Sequence, residues 1–373
     1  MFFGCARPEQ TTSNMSQIDR ADFLTHLTSE LIACGPRRAF NNIDLSRFPH
    51  SPSKKQALKE KALGIAAFFG FYRGAAFDVD RLSAVLNAIG LDQAYALLAD
   101  HASRDLFVKI LAYRILGNRH VRLPLNNQQY WRTRRSVSGY LERSGTVTGI
   151  PILGSLDLFN FNGIRLHAHP MNILNTFLLE QYRCPRANVG VRPGDVVIDA
   201  GGCWGDTALY FAQRAARVFS FECIPSNIEI MRRNLGLNAS LGSKIDLVQK
   251  ALWSSSADVL AFKDAGPGSR PQSDDAAVSV ETVTLDDFIR ANSVERVDFI
   301  KMDIEGSEPD ALAGAERTIR QYRPQLAISI YHDLSHFASI PKWIAGQDLG
   351  YRLYLDHFTI HAEETVIFAR VGS

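Results

Sequence analysis

Cysteine is scarce in this chain. Its five cysteines (Cys5, Cys34, Cys184, Cys203 and Cys223) are odd in number and none form a CxxC pair. That excludes a disulfide scaffold and a Cys-ligated zinc site, and the expectation is a cytoplasmic protein with reduced thiols. An excess of charge of one sign is also missing, with 41 Lys and Arg against 39 Asp and Glu. A chain built as a whole to bind nucleic acid carries a basic excess, so no nucleic-acid partner is expected. Long apolar runs are absent. The longest, Ala62 to Tyr72, is bounded by Lys61 and Arg73 and falls short of the roughly 20 apolar residues of a membrane span. No stretch at the N-terminus combines a basic region with a sustained apolar core, so no secretory leader is expected. Internal repeats are lacking too.

At 373 residues the chain is long enough for two units of about 100–200 residues each. The near-neutral total is an average over unlike parts. Residues 1–145 carry 20 basic and 12 acidic side chains, whereas residues 146–373 carry 21 and 27. The reading is a mainly helical N-terminal region over 1–145 and a second domain over 146–373.

The first part reads helical. Phe23, Leu24, Leu27, Leu31 and Ile32 share one face of a helix over Asp22–Ile32. Ser51-Pro52-Ser53 marks the start of another, running to Phe71. Asp78 or Asp80 would cap a helix over Arg81–Ile89, with Gly90 as its stop. Ser103–Leu116 predicts a fourth, ended by Gly117. Beyond the basic stretch Trp131–Arg135, short apolar runs at Ile150–Leu153 and Leu156–Phe161 read as strands.

From about residue 170 strands alternate with helices. A helix through Phe177–Tyr182 precedes a strand at Asp195–Asp199. A glycine loop, a helix (Asp206–Ala215), a strand (Val218–Phe221), a helix (Asn227–Leu237) and a strand (Ile245–Val248) follow. Val297–Asp303, Leu326–Tyr331, Tyr351–Leu355 and Thr365–Ala369 read as further strands, with a helix over Asp310–Tyr322. Such alternation predicts an α/β, doubly wound, Rossmann-like parallel sheet. The Gly-, Pro- and Ser-rich Asp264–Asp275 is either a flap over a site or a surface loop, the plain loop being the simpler reading.

Chemistry concentrates at three strand ends. Val196-Val197-Ile198-Asp199-Ala200-Gly201-Gly202-Cys203-Trp204-Gly205-Asp206-Thr207 is an apolar strand, an acid, a glycine turn and a helix start. Glycines let the backbone approach a ligand closely, and the helix N-terminus offers free N–H groups. Glu222 closes the next strand, where an acid accepts hydrogen bonds from ribose hydroxyls. Both features fit a nicotinamide dinucleotide and S-adenosylmethionine alike. Asp199 separates them: a carboxylate there would hold the ammonium of S-adenosylmethionine, directly or through water, but would repel a pyrophosphate. The second strand end is Ile300-Lys301-Met302-Asp303-Ile304-Glu305-Gly306-Ser307-Glu308, and the third delivers His332 after Leu326–Tyr331. Methyl transfer to a hydroxyl needs a base within reach, and on placement His332 and Asp303 are the candidates. No metal-ligand set is assigned, although Asp303, Glu305 and His332 include oxygen and nitrogen donors that a metal-assisted variant would use.

These runs, together with Phe221-Glu222-Cys223-Ile224-Pro225-Ser226-Asn227, Thr282–Phe288 and the closing Glu364–Ala369, resemble the FkbM-type methyltransferases. The resemblance covers about residues 150–370. It implies an S-adenosylmethionine-dependent O-methyltransferase built on a seven-stranded class I sheet whose last strand runs antiparallel. By match, Asp199, Gly201, Gly202 and Gly205 would line the methionine end, Glu222 the ribose, and Asp303 the neighbourhood of the methyl group. Cys203-Trp204 falls in the variable part of the loop. The family's acceptors are hydroxyls of sugars, glycans and polyketide-type natural products. The expected acceptor is a carbohydrate hydroxyl on a nucleotide sugar or glycan precursor, with S-adenosyl-L-methionine as cofactor. A polyketide-type acceptor is the alternative. The rival classes are a nicotinamide-dependent oxidoreductase and a non-catalytic cofactor-binding module. No stable membrane span is expected, and no oligomeric state follows.

Overall fold

The computed structural model describes residues 17–35, 42–44, 72–73, 76–77, 89–150, 154–271 and 278–372. The helix expected over 51–71, all but the last residue of the one expected over 81–89, and Cys5 lie outside the described residues.

Helix α1 (Gln17–Cys34) buries Phe23, Leu27 and Leu31, spaced one turn apart. Gly90 follows helical Ile89, as expected of a stop, and also precedes α2 (Leu91–Leu97). Helix α3 (His101–Leu116) starts two residues before the expected Ser103. Asp100 caps it by accepting from the Ser103 N–H at 2.7 Å, which satisfies one of the open donors of the first turn. The basic stretch forms α4 (Gln128–Ser136), capped by Asn127. Strands β1 (Leu141–Ile150), β2 (Gly154–Phe161) and β3 (Ile164–Ala168) form an antiparallel meander, so residue 145 falls inside a strand.

The main sheet follows. Its first half is β4 (Val196–Ala200), α5 (Asp206–Ala212), β5 (Arg217–Phe221), α6 (Pro225–Leu237) and β6 (Ile245–Val248). A small side sheet interrupts it, made of β7 (Ala251–Leu252), β8 (Val259–Phe262) and β9 (Val278–Val283). The second half is α7 (Leu285–Ala291), β10 (Phe299–Met302), α8 (Glu308–Ala313), α9 (Glu316–Tyr322), β11 (Gln325–Ser329), α10 (His336–Gly346), β12 (Tyr351–His357) and β13 (Thr365–Val371). The seven strands stand in the order β12-β13-β11-β10-β4-β5-β6. β4, β5, β6, β10 and β11 pair in parallel, and β13 runs antiparallel to both of its neighbours.

The helix expected over Asp310–Tyr322 is two helices. Gly314 packs so tightly that a Cβ there would lie 2.0 Å from the Trp253 carbonyl oxygen, and the chain turns at that contact.

Alternation along β4 divides the interior. Ile198 and Ala200 join one buried cluster and Val197 the other, as expected for a strand covered on both faces. Phe23, Leu27, Leu31 and Phe107 of the N-terminal helices belong to the same cluster as Ile198, Ile300, Ile328 and Leu353. The helical region and the sheet therefore share one core. Arg114 of α3 donates to the Tyr331 carbonyl at 2.8 Å, just past the end of β11. After β4 the chain moves to β5 on one side, and β10 joins on the other. That switch leaves a crevice beyond the carboxyl ends of these strands.

Candidate active site

A cavity opens at that crevice, lined among others by Gly201, Cys203, Glu222, Asn227, Trp253 and Asp303. A broader cleft adjoins it and shares Gly201, Cys203, Pro267, Asp303 and Glu305 with it. The expected residues divide between these spaces and the protein interior.

Gly201 forms part of the cavity wall. Its φ is +81°, and a Cβ there would lie 1.9 Å from the Asp303 carbonyl oxygen. Any larger residue would push apart the two strand ends that form the site. Gly202 and Gly205, expected to line the methionine end, do not border the cavity. Gly202 packs under the loop, where a Cβ would meet Ser220 Oγ at 2.1 Å, and Gly205 starts α5 against Met231.

Asp199 also departs from expectation. Its carboxylate is fully buried and borders neither space. It accepts from the Thr207 hydroxyl at 3.0 Å and the Ser220 hydroxyl at 2.7 Å. The ammonium it holds is the protein's own: Lys301 Nζ lies 3.3 Å away. Lys301 also donates to the carbonyls of Ala200 at 3.0 Å and Gly201 at 2.6 Å. Burial works against the lysine's charge, but Asp199 and Asp303 outweigh it and hold its pKa above the ordinary value.

Glu222 accepts three backbone N–H groups at 2.8 Å, from Cys203, Cys223 and Ile224. It thus ties the glycine loop to the end of β5. Burial pushes its carboxyl up to about 7 against the pull of those N–H groups. Trp204 is buried and stacks with His169 at 5.6 Å, away from the cavity, whereas Trp253 lines it.

Asp303 borders both spaces. Tyr182 donates to its Oδ2 at 2.7 Å and Tyr331 to its Oδ1 at 3.1 Å. Burial and the nearby Asp303 raise the pKa of both phenols well above the usual value, so both remain donors. Neither tyrosine was among the residues singled out from sequence, and nor was Lys301. Tyr182 reaches the site because the helix expected through it ends early. Ile173–Leu178 is a π-helical turn, and Glu180 takes a φ of +50°. The wider turn alters the exit direction of the chain, a feature often found at functional sites.

The His332 side chain is 2% exposed. Its Nε2 lies 3.4 Å from Asp303 and 3.7 Å from Glu305, and its Nδ1 lies 3.0 Å from Glu308. Burial lowers its pKa, but Glu305, Glu308 and Asp303 outweigh that and push it up to about 10. The base role expected for His332 needs a free neutral ring. Among these three carboxylates the ring is an imidazolium at neutral pH, so that expectation is corrected.

The loop read as surface-exposed forms the wall between cavity and cleft. Gly266, Pro267 and Ser269 face the cavity, and Pro267, Gly268 and Arg270 face the cleft. Asp264 pins it by accepting from the Ser226 hydroxyl at 2.6 Å. Residues 272–277 of that stretch lie outside the described residues.

A parallel-centred α/β sheet with a cavity at its topological switch has the architecture of the open α/β folds, in which ligands bind at that position. Residues 187–353 match the family model of the methyltransferase FkbM domain. Over 150 residues it is 26% identical to the 2-O-methyltransferase NoeI of Sinorhizobium fredii, covering 35% of this chain and 62% of that protein. A shorter match of 49 residues, 43% identical, links 13% of this chain to 11% of an uncharacterized RNA methyltransferase, YljE, of Lactococcus lactis. Among solved structures, the FkbM methyltransferase of Methylobacillus flagellatus aligns at 18% identity and a TM-score of 0.49, covering 76% of this chain and 59% of that one. The fibrillarin of Aeropyrum pernix, solved with bound S-adenosyl-L-methionine, aligns at 16% identity and a TM-score of 0.34, covering 59% of this chain and 85% of that one. The chain thus spans less than two thirds of the length of NoeI and of the Methylobacillus protein.

Proposed function

We propose that this protein is an S-adenosylmethionine-dependent O-methyltransferase acting on a carbohydrate hydroxyl. The observation that carries the reading is the position of Asp303, which borders both the cavity and the adjoining broader cleft. A group at that junction faces a cofactor on one side and an acceptor on the other. The cavity fits the cofactor. Gly201 lets the two strand ends that wall the cavity close together, Glu222 offers a carboxylate for ribose hydroxyls, and Trp253 and Phe262 supply apolar wall. When bound, S-adenosylmethionine supplies an electrophilic methyl group.

The chain's own residues then have four tasks. Lys301 and Asp199 hold the glycine loop in place. Glu222 fixes the far end of the cavity. Tyr182 and Tyr331 orient the Asp303 carboxylate. Asp303 takes the acceptor hydroxyl as a hydrogen-bond donor and receives its proton. Much of the acceleration in such a transfer comes from positioning.

Asp206, Asp303, Glu305, Glu363 and Glu364 border the cleft, against Lys301, Arg270 and His332. An acidic wall suits a neutral polyhydroxylated acceptor. It repels a phosphate-bearing one, and by the same argument a nucleic acid. The 2-O-methyl transfer for which NoeI is named is consistent with a hydroxyl acceptor.

The test is incubation of the protein with methyl-labelled S-adenosylmethionine and fractionated cell glycans, followed by mass spectrometry. Label in a carbohydrate fraction is expected. In parallel, Trp253 fluorescence should change saturably with S-adenosylhomocysteine. Saturation by NADH without a response to S-adenosylhomocysteine would overturn the reading in favour of an oxidoreductase. Cofactor binding without transfer to any fraction would favour a binding module.

A further inference from the structure

We infer that Asp303, Glu308 and His332 form a binding site for one divalent cation of the manganese or magnesium type, at the floor of the cleft. Each residue offers one ligand atom, and these atoms lie within 4.8 Å of one another. Ligands of a single small ion stand ~3–4.4 Å apart, so a slight movement of side chains closes the set. Two carboxylates and one imidazole, which must release its proton to bind the ion, are a donor set suited to Mn²⁺.

A second observation points the same way. His332 and Glu308 are buried, with side chains 2% and 0% exposed. Yet neither ring nitrogen of His332, nor Oε2 of Glu308, has a hydrogen-bond partner. Buried polar atoms in folded proteins are almost always satisfied. Of these atoms His332 Nε2 faces the cluster, 3.4 Å from Asp303 and 3.7 Å from Glu305, whereas Nδ1 faces Glu308 Oε1 at 3.0 Å and Glu308 Oε2 faces His336 at 3.5 Å. A cation on the Asp303 side of the ring would give Nε2 the partner that the protein's hydrogen bonds leave out.

The surrounding groups fit this assignment. Glu305 stands 3.7 Å from His332 Nε2, in a left-handed backbone conformation with φ +57°. It supplies a further carboxylate at the rim. The other Glu308 oxygen, Oε1, accepts from the Ile304 N–H at 2.9 Å, which fixes the ligand on the first turn of α8. His336 lies 3.5 Å behind Glu308, and Arg270 lies 3.5 Å from Glu305 on the solvent side. Asp303 and His332 border the cleft, which gives the ion a route in. The inference builds on the reading of this cleft as the acceptor side. There a cation would bind an acceptor hydroxyl and ease the loss of its proton.

The test titrates the full-length protein with Mn²⁺ alone, followed by calorimetry and electron paramagnetic resonance. One saturable Mn²⁺ per chain is expected, with nitrogen modulation from His332. Asp303→Asn and Glu308→Gln should each weaken it by roughly tenfold or more, and His332→Gln should remove the nitrogen signal. Thermal melts identify any variant that fails to fold. Asp303→Asn, which keeps an oxygen acceptor for both tyrosines, carries the test if Glu308→Gln melts early. No saturable binding, or binding unchanged in a folded variant, overturns the site. S-adenosylhomocysteine affinity is measured in the same samples. Cofactor binding without Mn²⁺ binding removes the cation site and leaves the methyltransferase reading standing. Loss of cofactor binding in the wild type removes the methyltransferase reading instead.

Discussion

Lys301 and Asp199 face each other in register across β10 and β4, their charges 3.3 Å apart and both side chains buried. Removing one member of such a pair leaves the other charge unpaired in the interior, at a cost of about 3–5 kcal/mol. Lys301→Met is expected to lose stability of that order in urea unfolding. The double variant Asp199→Asn/Lys301→Met should recover part of it. A loss below about 1 kcal/mol in the single variant would mean that solvent reaches the pair.

Gly201→Ala should weaken S-adenosylhomocysteine binding by roughly tenfold or more, because the new methyl collides with the Asp303 backbone at a positive φ. Gly236→Ala is the control. It sits on the exposed face of α6 with nothing within 4 Å of a Cβ, and should stabilise by up to ~1 kcal/mol. Equal effects of the two substitutions on affinity would refute the collision argument.

Glu222 predicts a pH dependence. Its folded pKa, pushed up to about 7, lies above the ordinary carboxylate value. Its contribution to folding is therefore fully present below that ordinary value and lost as pH rises through about 7. Ribose hydroxyls donate to the ionised form, so cofactor binding has the opposite trend. S-adenosylhomocysteine affinity should rise from pH 5.5 to 8 and level off, by up to about tenfold per unit below the pKa. Glu222→Gln should bind weakly with a flat profile, and a sloping profile in that variant would assign the effect to another group.

Tyr182→Phe and Tyr331→Phe each delete one donor to Asp303. A hydrogen bond to a charged group contributes about 1.5–3 kcal/mol. Methyl transfer should therefore slow by roughly tenfold or more, with cofactor affinity little changed. If affinity falls and turnover holds, the tyrosines shape the cavity rather than the reacting end.

Local pattern made the strand ends legible. Apolar runs ending in Asp199, Glu222 and Asp303 are strands because both faces are covered, and acids at their tips mark the crevice. Gly201 was readable for the same reason: a glycine before a helix start allows a positive φ and a close approach. Chemical type alone did not reveal where each carboxylate points. Asp199 lies one residue before the end of β4 and faces inward, whereas Asp303 lies one residue beyond the end of β10 and faces the cleft.

By itself the sequence determined the alternation of strand and helix and the acids that crowd the sheet edge, because both follow from periodicity and from residues close in the chain. Tertiary structure alone decided three things. It brought Glu305 and Glu308 around His332, so that a candidate base carries a charge. It brought Tyr182, 121 residues away in the chain, onto Asp303 through a π-helical turn. And it joined the basic helical region to the sheet in one core, with Arg114 braced against the end of β11. Each depends on side chains meeting across elements, where burial and Coulomb energy are set by neighbours that no local spacing records.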